Sequence, residues 1–336
     1  MHKPNIFKYA TKELSQDAFI FWLLDHANPE YEEGDNKIRG VAYNLLRKFF
    51  ELEGINFPEK IIKVELVKQY KNIDILCHVN NQYTILIEDK TRTTAHGDQL
   101  IRYKEIIQND FYNKKIIAIF FKTYDQSNYE SIENDGYKVL NRIDFLKTLN
   151  SVNGVCNEIF NEYLDYLTEI EKGVRAFSTT SINKWNEPAL KGLPWEGLFQ
   201  LFRKELSSGD WGYVPNKNGG FMGYWWAFQE NETCWQYLQL EECKLVLKIN
   251  VLNNKNYGYY RDICYKHFLD KSELEELNFV KPTRFGSGKT MTVLRTDYLV
   301  FDNLSNLIDI EKTIINLRKY TQFIEKYALK SEDFAQ

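Results

Sequence analysis

The sequence predicts a two-domain α/β protein, with an N-terminal core in which helices flank a sheet and a C-terminal α+β domain. Three observations carry that expectation. Segments with helical spacing alternate with segments of strand character along residues 12 to 149. The stretch Lys115 to Lys122, with its interior IIAIFF, is apolar at consecutive positions, the pattern of a strand buried on both faces. At 336 residues the chain also exceeds the usual span of about 100 to 200 residues for one domain.

The first element is a helix over Lys12 to Leu24, with Ser15 placed as N-cap and Asp17 in the first turn. Next, Ile38, Val41, Ala42, Leu45, Leu46, Phe49 and Leu52 recur at helical spacing, and Gly54 ends the run as a C′ residue. The segments Val64 to Val79 and Tyr83 to Lys90 are rich in β-branched and aromatic residues. The polar break Asn80, Asn81, Gln82 between them makes a hairpin. A polar turn from Thr91 to Asp98 leads to a helix from Gln99 to Ile107, then to the apolar strand, a short strand at Tyr137 to Leu140 and a helix at Ile143 to Leu149.

Gly173, Ser178, Thr179, Thr180, Ser181 and Pro188 interrupt the pattern, so the expected domains are 1–172 and 185–336. Six of the seven tryptophans fall between Trp185 and Trp235, which gives the second domain its own character. Its expected elements are a helix at Ala189 to Leu206, strands near Tyr224 to Gln229, Cys234 to Glu241 and Lys244 to Val251, and a helix from Tyr257 to Leu277. A hairpin from Phe279 to Phe301 and a helix from Leu307 to Leu329 follow. Trp225, Trp226, Phe228, Trp235, Tyr237 and Leu238 lie in strand-like segments, where large rings fill a core or an interface more often than they stack on bases.

The chemistry concentrates in the first hairpin. With a three-residue loop, Asp74 falls opposite Glu88, and Glu88 shares a strand face with Lys90. A two-residue loop would turn Asp74 to the wrong face. Facing carboxylates repel unless neutralised, and a hard divalent cation with oxygen ligands, magnesium above all, does that. Such an ion polarises a phosphoryl oxygen and acidifies a bound water, while the Lys90 ammonium orients that water or stabilises developing charge. An acid, any residue and a lysine recur by chance in a chain with 27% charged residues, as Glu242 and Lys244 show. Glu242 has no aspartate on the segment just upstream, whereas Glu88 has Asp74.

Gln99 and Tyr103 sit four apart on one face of the next helix. Aspartate, then glutamate-x-lysine, then glutamine-x-x-x-tyrosine resembles the PD-(D/E)XK nuclease superfamily, in the branch with that helix motif. The resemblance implies a restriction-endonuclease-like core with a central mixed sheet flanked by helices. It also implies metal binding by Asp74 and Glu88, assistance by Lys90, and support of the site or the substrate phosphate by Gln99 and Tyr103. The family carries a further acid on a helix before the sheet. Glu13 is carried over to that role and to the metal, because Asp17 is accounted for as a partner of the helix dipole. The expected activity is metal-dependent hydrolysis of DNA, or of RNA, with Mg2+ or Mn2+. The alternative is a catalytically degenerate module binding nucleic acid or a protein through the C-terminal domain. A role in bacterial defence or DNA processing follows from family analogy alone.

Phe285, Gly286, Ser287, Gly288, Lys289 and Thr290 resemble the end of a nucleotide-binding P-loop, but position 283 is Thr283 and Met291 to Leu294 continue as a strand. ATP binding is therefore rejected, leaving Arg284 and Lys289 as candidates to touch a nucleic-acid backbone. Residues 1 to 170 hold 21 Lys or Arg against 26 Asp or Glu and the remainder 22 against 21, so phosphate neutralisation must come from a local patch. Lys90, Arg92, Arg102 and Lys104 flank the proposed site. Five widely spaced cysteines suit free thiols in a reducing cytoplasm rather than zinc. No signal peptide or membrane-spanning run is evident, so a cytoplasmic location away from membranes is expected.

Overall fold

A computed structural model of the chain describes residues 4–10, 12–31, 35–217, 219–252 and 256–334. The chain divides into two compact units, Met1–Lys172 and Gly173–Gln336.

In the first unit two helices, α1 (Glu13–Asp25) and α2 (Asn36–Glu53), precede the sheet. α2 is capped as its sequence suggests: the Asp35 side chain accepts from the Lys37 and Ile38 N–H groups, and Gly54 closes the helix at φ 72°. α1 corrects its expected start. It begins two residues before Ser15, with Lys12 at the N-cap and no side-chain cap. Burial of Phe19, Ile20, Leu23 and Leu24 sets its extent rather than a capping hydroxyl. Asp17 therefore lies beyond the first turn, and Glu13 is the acid within it.

The strands β1 (Val64–Tyr70), β2 (Ile73–Val79) and β3 (Tyr83–Lys90) form an antiparallel meander. Val64 to Val79 is thus two strands, not one. Lys71 and Asn72, at φ 51° and 71°, make the two-residue turn whose twist suits a hairpin. A Lys-Asn pair announces such a turn less clearly than Asn-Gly. The connection Asn80–Gln82 is three residues long and pairs Val79 with Tyr83 through to Ile75 with Ile87, a register in which Asp74 stands opposite Glu88.

After β3 come α3 (Gln99–Asp110), β4 (Lys115–Lys122), α4 (Glu130–Asn134), β5 (Lys138–Asn141), α5 (Arg142–Leu149) and α6 (Glu158–Arg175). β4 and β5 add in parallel, giving a mixed sheet in the order β1-β2-β3-β4-β5. On one face Ile87 and Phe121 meet Ile20 of α1, Leu45 and Phe49 of α2 and Phe145 of α5. On the other, Leu86, Ala118 and Phe120 pack with Leu100, Tyr103 and Ile107 of α3. Covered on both sides, β4 carries the uninterrupted apolar run that its position demands.

The second unit contains α7 (Leu193–Glu205), β6 (Asp210–Val214), β7 (Phe221–Glu230), β8 (Cys234–Glu241), β9 (Lys244–Val251), α8 (Tyr257–Leu274), β10 (Thr290–Asp297) and α9 (Ile310–Tyr327). Its sheet is antiparallel, in the order β10-β9-β8-β7-β6. Three expectations are corrected here. β6 was not foreseen, because DWGYV is short and interrupted by glycine. The hairpin expected over Phe279 to Phe301 reduces to β10 and a single bridge from Val280 to Arg295, since Pro282 has no donor and Gly286 and Gly288 weaken pairing. α7 starts at Leu193, after Gly192 at φ 78°, rather than at Ala189. The segment resembling a P-loop leads into β10 and not into a helix. All five cysteines are unbridged, and no helix among the described residues is long and apolar enough to cross a membrane.

Candidate active site

Glu88, Asp89 and Lys90 end β3, where side-chain alternation sends Glu88 and Lys90 toward α3 and continues the apolar face of Ile85 and Ile87 with Asp89. All three are buried. The Lys90 ammonium donates to Glu88 Oε1, lies 3.2 Å from the Asp89 carbonyl oxygen and approaches Asp74 Oδ2 at 3.9 Å. Asp74 is less enclosed, and its Oδ2 accepts from the Asp89 N–H at 3.0 Å. The Gln99 side-chain amide donates to Glu88 Oε1 at 2.8 Å and lies 3.2 Å from the Tyr103 hydroxyl. The structure therefore brings Asp74, Glu88, Lys90, Gln99 and Tyr103 into one cluster.

Glu13 lies at its margin. Its Oε1 accepts from the Thr91 N–H at 3.3 Å and the Thr93 hydroxyl at 2.5 Å, just past the end of β3. A second acid from the same helix goes deeper. Asp17 is 2% exposed and faces Asp89, with which it shares a hydrogen bond once either is protonated. Gln16 secures this layer: its amide donates to Asp89 Oδ1, and its carbonyl oxygen accepts from the Thr123 hydroxyl and, at 3.0 Å, from the Tyr163 hydroxyl. Sequence reasoning set Asp17 aside and overlooked Gln16 and Asp89. The available signal was Asp89 itself, a charge continuing an otherwise apolar strand face.

So many carboxylates around one ammonium shift their proton affinities. Burial, followed by the Asp74 charge, pushes Glu88 up to about 7 against the pull of Lys90. Burial and Asp74 likewise raise Asp17 to about 7. Burial also raises Asp74, which the Asp89 N–H and Lys90 partly restrain, and holds Asp89 well above the usual carboxylate range. Burial opposes the charge of Lys90, yet Glu88, Asp74 and Glu13 keep its pKa above the ordinary lysine value.

The donor set fits a hard divalent cation. Glu88 Oε2 is buried without a hydrogen-bond partner, the kind of unsatisfied oxygen that an ion completes. Among the described residues, no three Asp, Glu, His or Cys side chains already converge as a complete set, and the Lys90 ammonium contacts both Glu88 and Asp74. Asp74 and Glu88 would hold the ion if Lys90 gave way.

Of the flanking cations, Arg92 and Arg102 are exposed, whereas Lys90 and Lys104 are engaged within the fold. Lys90 is buried against Glu88, Arg92 lies over the Tyr124 ring at 3.8 Å, Lys104 donates to the Gly136 carbonyl oxygen at 3.2 Å, and Arg102 stands 3.9 Å from Asp98. The second acid-x-lysine triplet is accounted for by geometry. Glu242, at φ 49°, turns β8 into β9, and Lys244 pairs with Asp297.

Residues 4–191 match the family model of the PD-(D/E)XK nuclease superfamily. No curated protein and no solved structure matches the chain.

Proposed function

Since the chain belongs to the PD-(D/E)XK nuclease superfamily, we propose that it hydrolyses DNA phosphodiester bonds with Mg2+ or Mn2+ at the Asp74, Glu88 and Lys90 cluster. The observation that carries this is the end of β3. Glu88 presents one oxygen held by Gln99 and Lys90 and a second, unpaired one, with Asp74 opposite. Asp74 and Glu88 would hold the ion, which when bound would supply Lewis acidity toward the phosphate and acidify a water. Lys90 orients the attacking water and stabilises charge developing on the phosphate oxygens. Gln99, braced by Tyr103, fixes the Glu88 carboxylate so that it is spared reorganisation during the reaction. Glu13, whose Oε1 is held by the Thr91 N–H and the Thr93 hydroxyl, is the further acid that would assist Asp74 and Glu88 at the ion from the margin of the cluster.

The test incubates purified protein with linear DNA, circular DNA and RNA in magnesium or manganese, beside Glu88→Ala and Lys90→Ala variants. Cleavage by the wild type alone is expected, and equal activity in all three proteins would sink the assignment.

One observation favours a second reading, a catalytically degenerate module that binds nucleic acid or a protein. Lys90 already neutralises Glu88 and reaches toward Asp74, leaving no ready-made set of ligands among the described residues. Calorimetric titration separates the two. The nuclease reading predicts divalent-metal binding that Asp74→Asn abolishes, and the degenerate module predicts none.

A further inference from the structure

Two buried lysines stand abreast at the ends of neighbouring strands. β3 and β4 run parallel with Lys90 paired to Lys122, so both side chains leave the same face of the sheet, the face that carries Glu88. Lys122 closes the apolar strand and is 2% exposed, where the end of a strand would ordinarily let a lysine reach water. An ammonium is costly to bury unless it meets oxygen acceptors. The two lysines meet theirs in different places. Lys90 engages Glu88 and approaches Asp74, whereas Lys122 donates to the Thr93 carbonyl oxygen.

Thr93 belongs to the connection from β3 to α3, residues 91–98, which is neither helix nor strand. At its start the Thr91 carbonyl oxygen accepts from the Tyr124 N–H at 3.3 Å, and at its end the His96 carbonyl oxygen accepts from the Gln99 N–H at 3.1 Å. The Lys122 bond falls between these two anchors. From the same segment the Thr93 hydroxyl donates to Glu13 Oε1 at 2.5 Å, and the Thr91 N–H reaches that oxygen at 3.3 Å. Glu13 is the first residue of α1, a helix without a side-chain cap, and terminal residues fray. Its carboxylate is therefore placed by the loop rather than by its own helix.

We propose that Lys122 is a positioning residue: by holding the Thr93 carbonyl oxygen it sets the loop that presents Glu13 to the Asp74 and Glu88 cluster. What Glu13 does there rests on the nuclease reading of the site, but the link from Lys122 to Glu13 does not. An apolar side chain would serve packing alone, and Phe120, two residues earlier on the same face, is one. The ammonium adds a donor that only the loop uses for its placement.

Amide hydrogen exchange of the full chain in EDTA, followed by NMR, tests the link without metal or cleavage. The Thr91 N–H reports the hold on Glu13, and the Asp89 N–H, bonded to Asp74 at 3.0 Å, reports an intact end of β3. Lys122→Met, which keeps the stem and removes the donor, should speed exchange at Thr91 about 5-fold to 50-fold and leave Asp89 protected. Glu13→Ala sets the ceiling for Thr91, so adding Lys122→Met to it should produce no further increase. Thr93→Val, at an exposed position, should also speed exchange at Thr91. Thr91 exchange unmoved by Lys122→Met or by Thr93→Val, or effects that multiply in the double variant, overturns the proposal. Loss of protection at Asp89 as well assigns Lys122 to the stability of the strand and likewise overturns it. Where the chain cleaves, Lys122→Met and Glu13→Ala should each raise the Mn2+ concentration for half-maximal rate about 10-fold to 100-fold, with the double variant no worse than either. A chain that shows the exchange pattern but cuts nothing overturns the nuclease reading and leaves the link standing. Cleavage that persists while Thr91 exchange stays unmoved overturns the link and leaves the nuclease reading.

Discussion

Replacing Asp17 by asparagine should stabilise the protein in the absence of metal, against the usual expectation that losing a buried polar group costs stability. Burial and Asp74 raise this carboxyl from 3.8 to about 7, so ionising it inside the fold is unfavourable. Three pKa units correspond to about 4 kcal/mol, which is the ceiling of the gain. Asp17 Oδ1 and Asp89 Oδ2 both lack partners, and asparagine keeps the shape while offering Asp89 a donor. Because part of the repulsion passes to Asp89, a gain of about 2 kcal/mol is expected at pH 8, or about 4 to 8 °C in Tm for a unit of this size. The sign follows from linkage: a carboxyl whose folded pKa lies above its unfolded value contributes stability that is complete below about pH 4 and lost as pH rises through about 7. Wild type and variant should therefore coincide at pH 4 and diverge toward pH 8. Thermal unfolding in EDTA across that range, followed by circular dichroism, measures the difference. A variant less stable than wild type at pH 8, or a difference independent of pH, would refute the reasoning.

Metal affinity should fall as pH drops below about 7, approaching tenfold per unit for each proton displaced, because Glu88 titrates near 7 and binds only when ionised; calorimetry at several pH values reads this, and flat affinity speaks against Glu88 as a ligand. Gln99→Ala should lower the cleavage rate about 10-fold to 100-fold with little change in Tm, since it frees Glu88 Oε1 from one of its two donors. Gln16→Leu should destabilise the first unit by about 2 to 5 kcal/mol in urea unfolding, because it strands Asp89 Oδ1 and the Thr123 and Tyr163 hydroxyls in a buried layer. Lys244→Ala should leave cleavage at the wild-type rate, as its triplet sits at a hairpin turn and its ammonium pairs with Asp297.

What the sequence determined by itself was local. The pairing of Asp74 with Glu88 was legible because a period of two and a three-residue break settle strand register without reference to the rest of the chain. Gln99 and Tyr103 were legible as neighbours because one helical turn brings positions four apart together. The same period of two separates Trp225 from Trp226 on opposite faces of β7. Tertiary structure decided what those patterns meant. Asp17 was set aside as a first-turn acid because a serine resembles a cap, whereas packing of the apolar face started α1 earlier and carried Asp17 into the interior. Gln16 and Asp89 lie 73 positions apart, and Gln16 and Tyr163 lie 147 apart, so no window of sequence could show that they share a buried network. Which tryptophan met water was likewise open until three helices had all packed on one side of the second sheet. Backbone periodicity acts between neighbours in the chain, but burial, and with it every shifted proton affinity in this site, is a property of what the folded chain brings alongside.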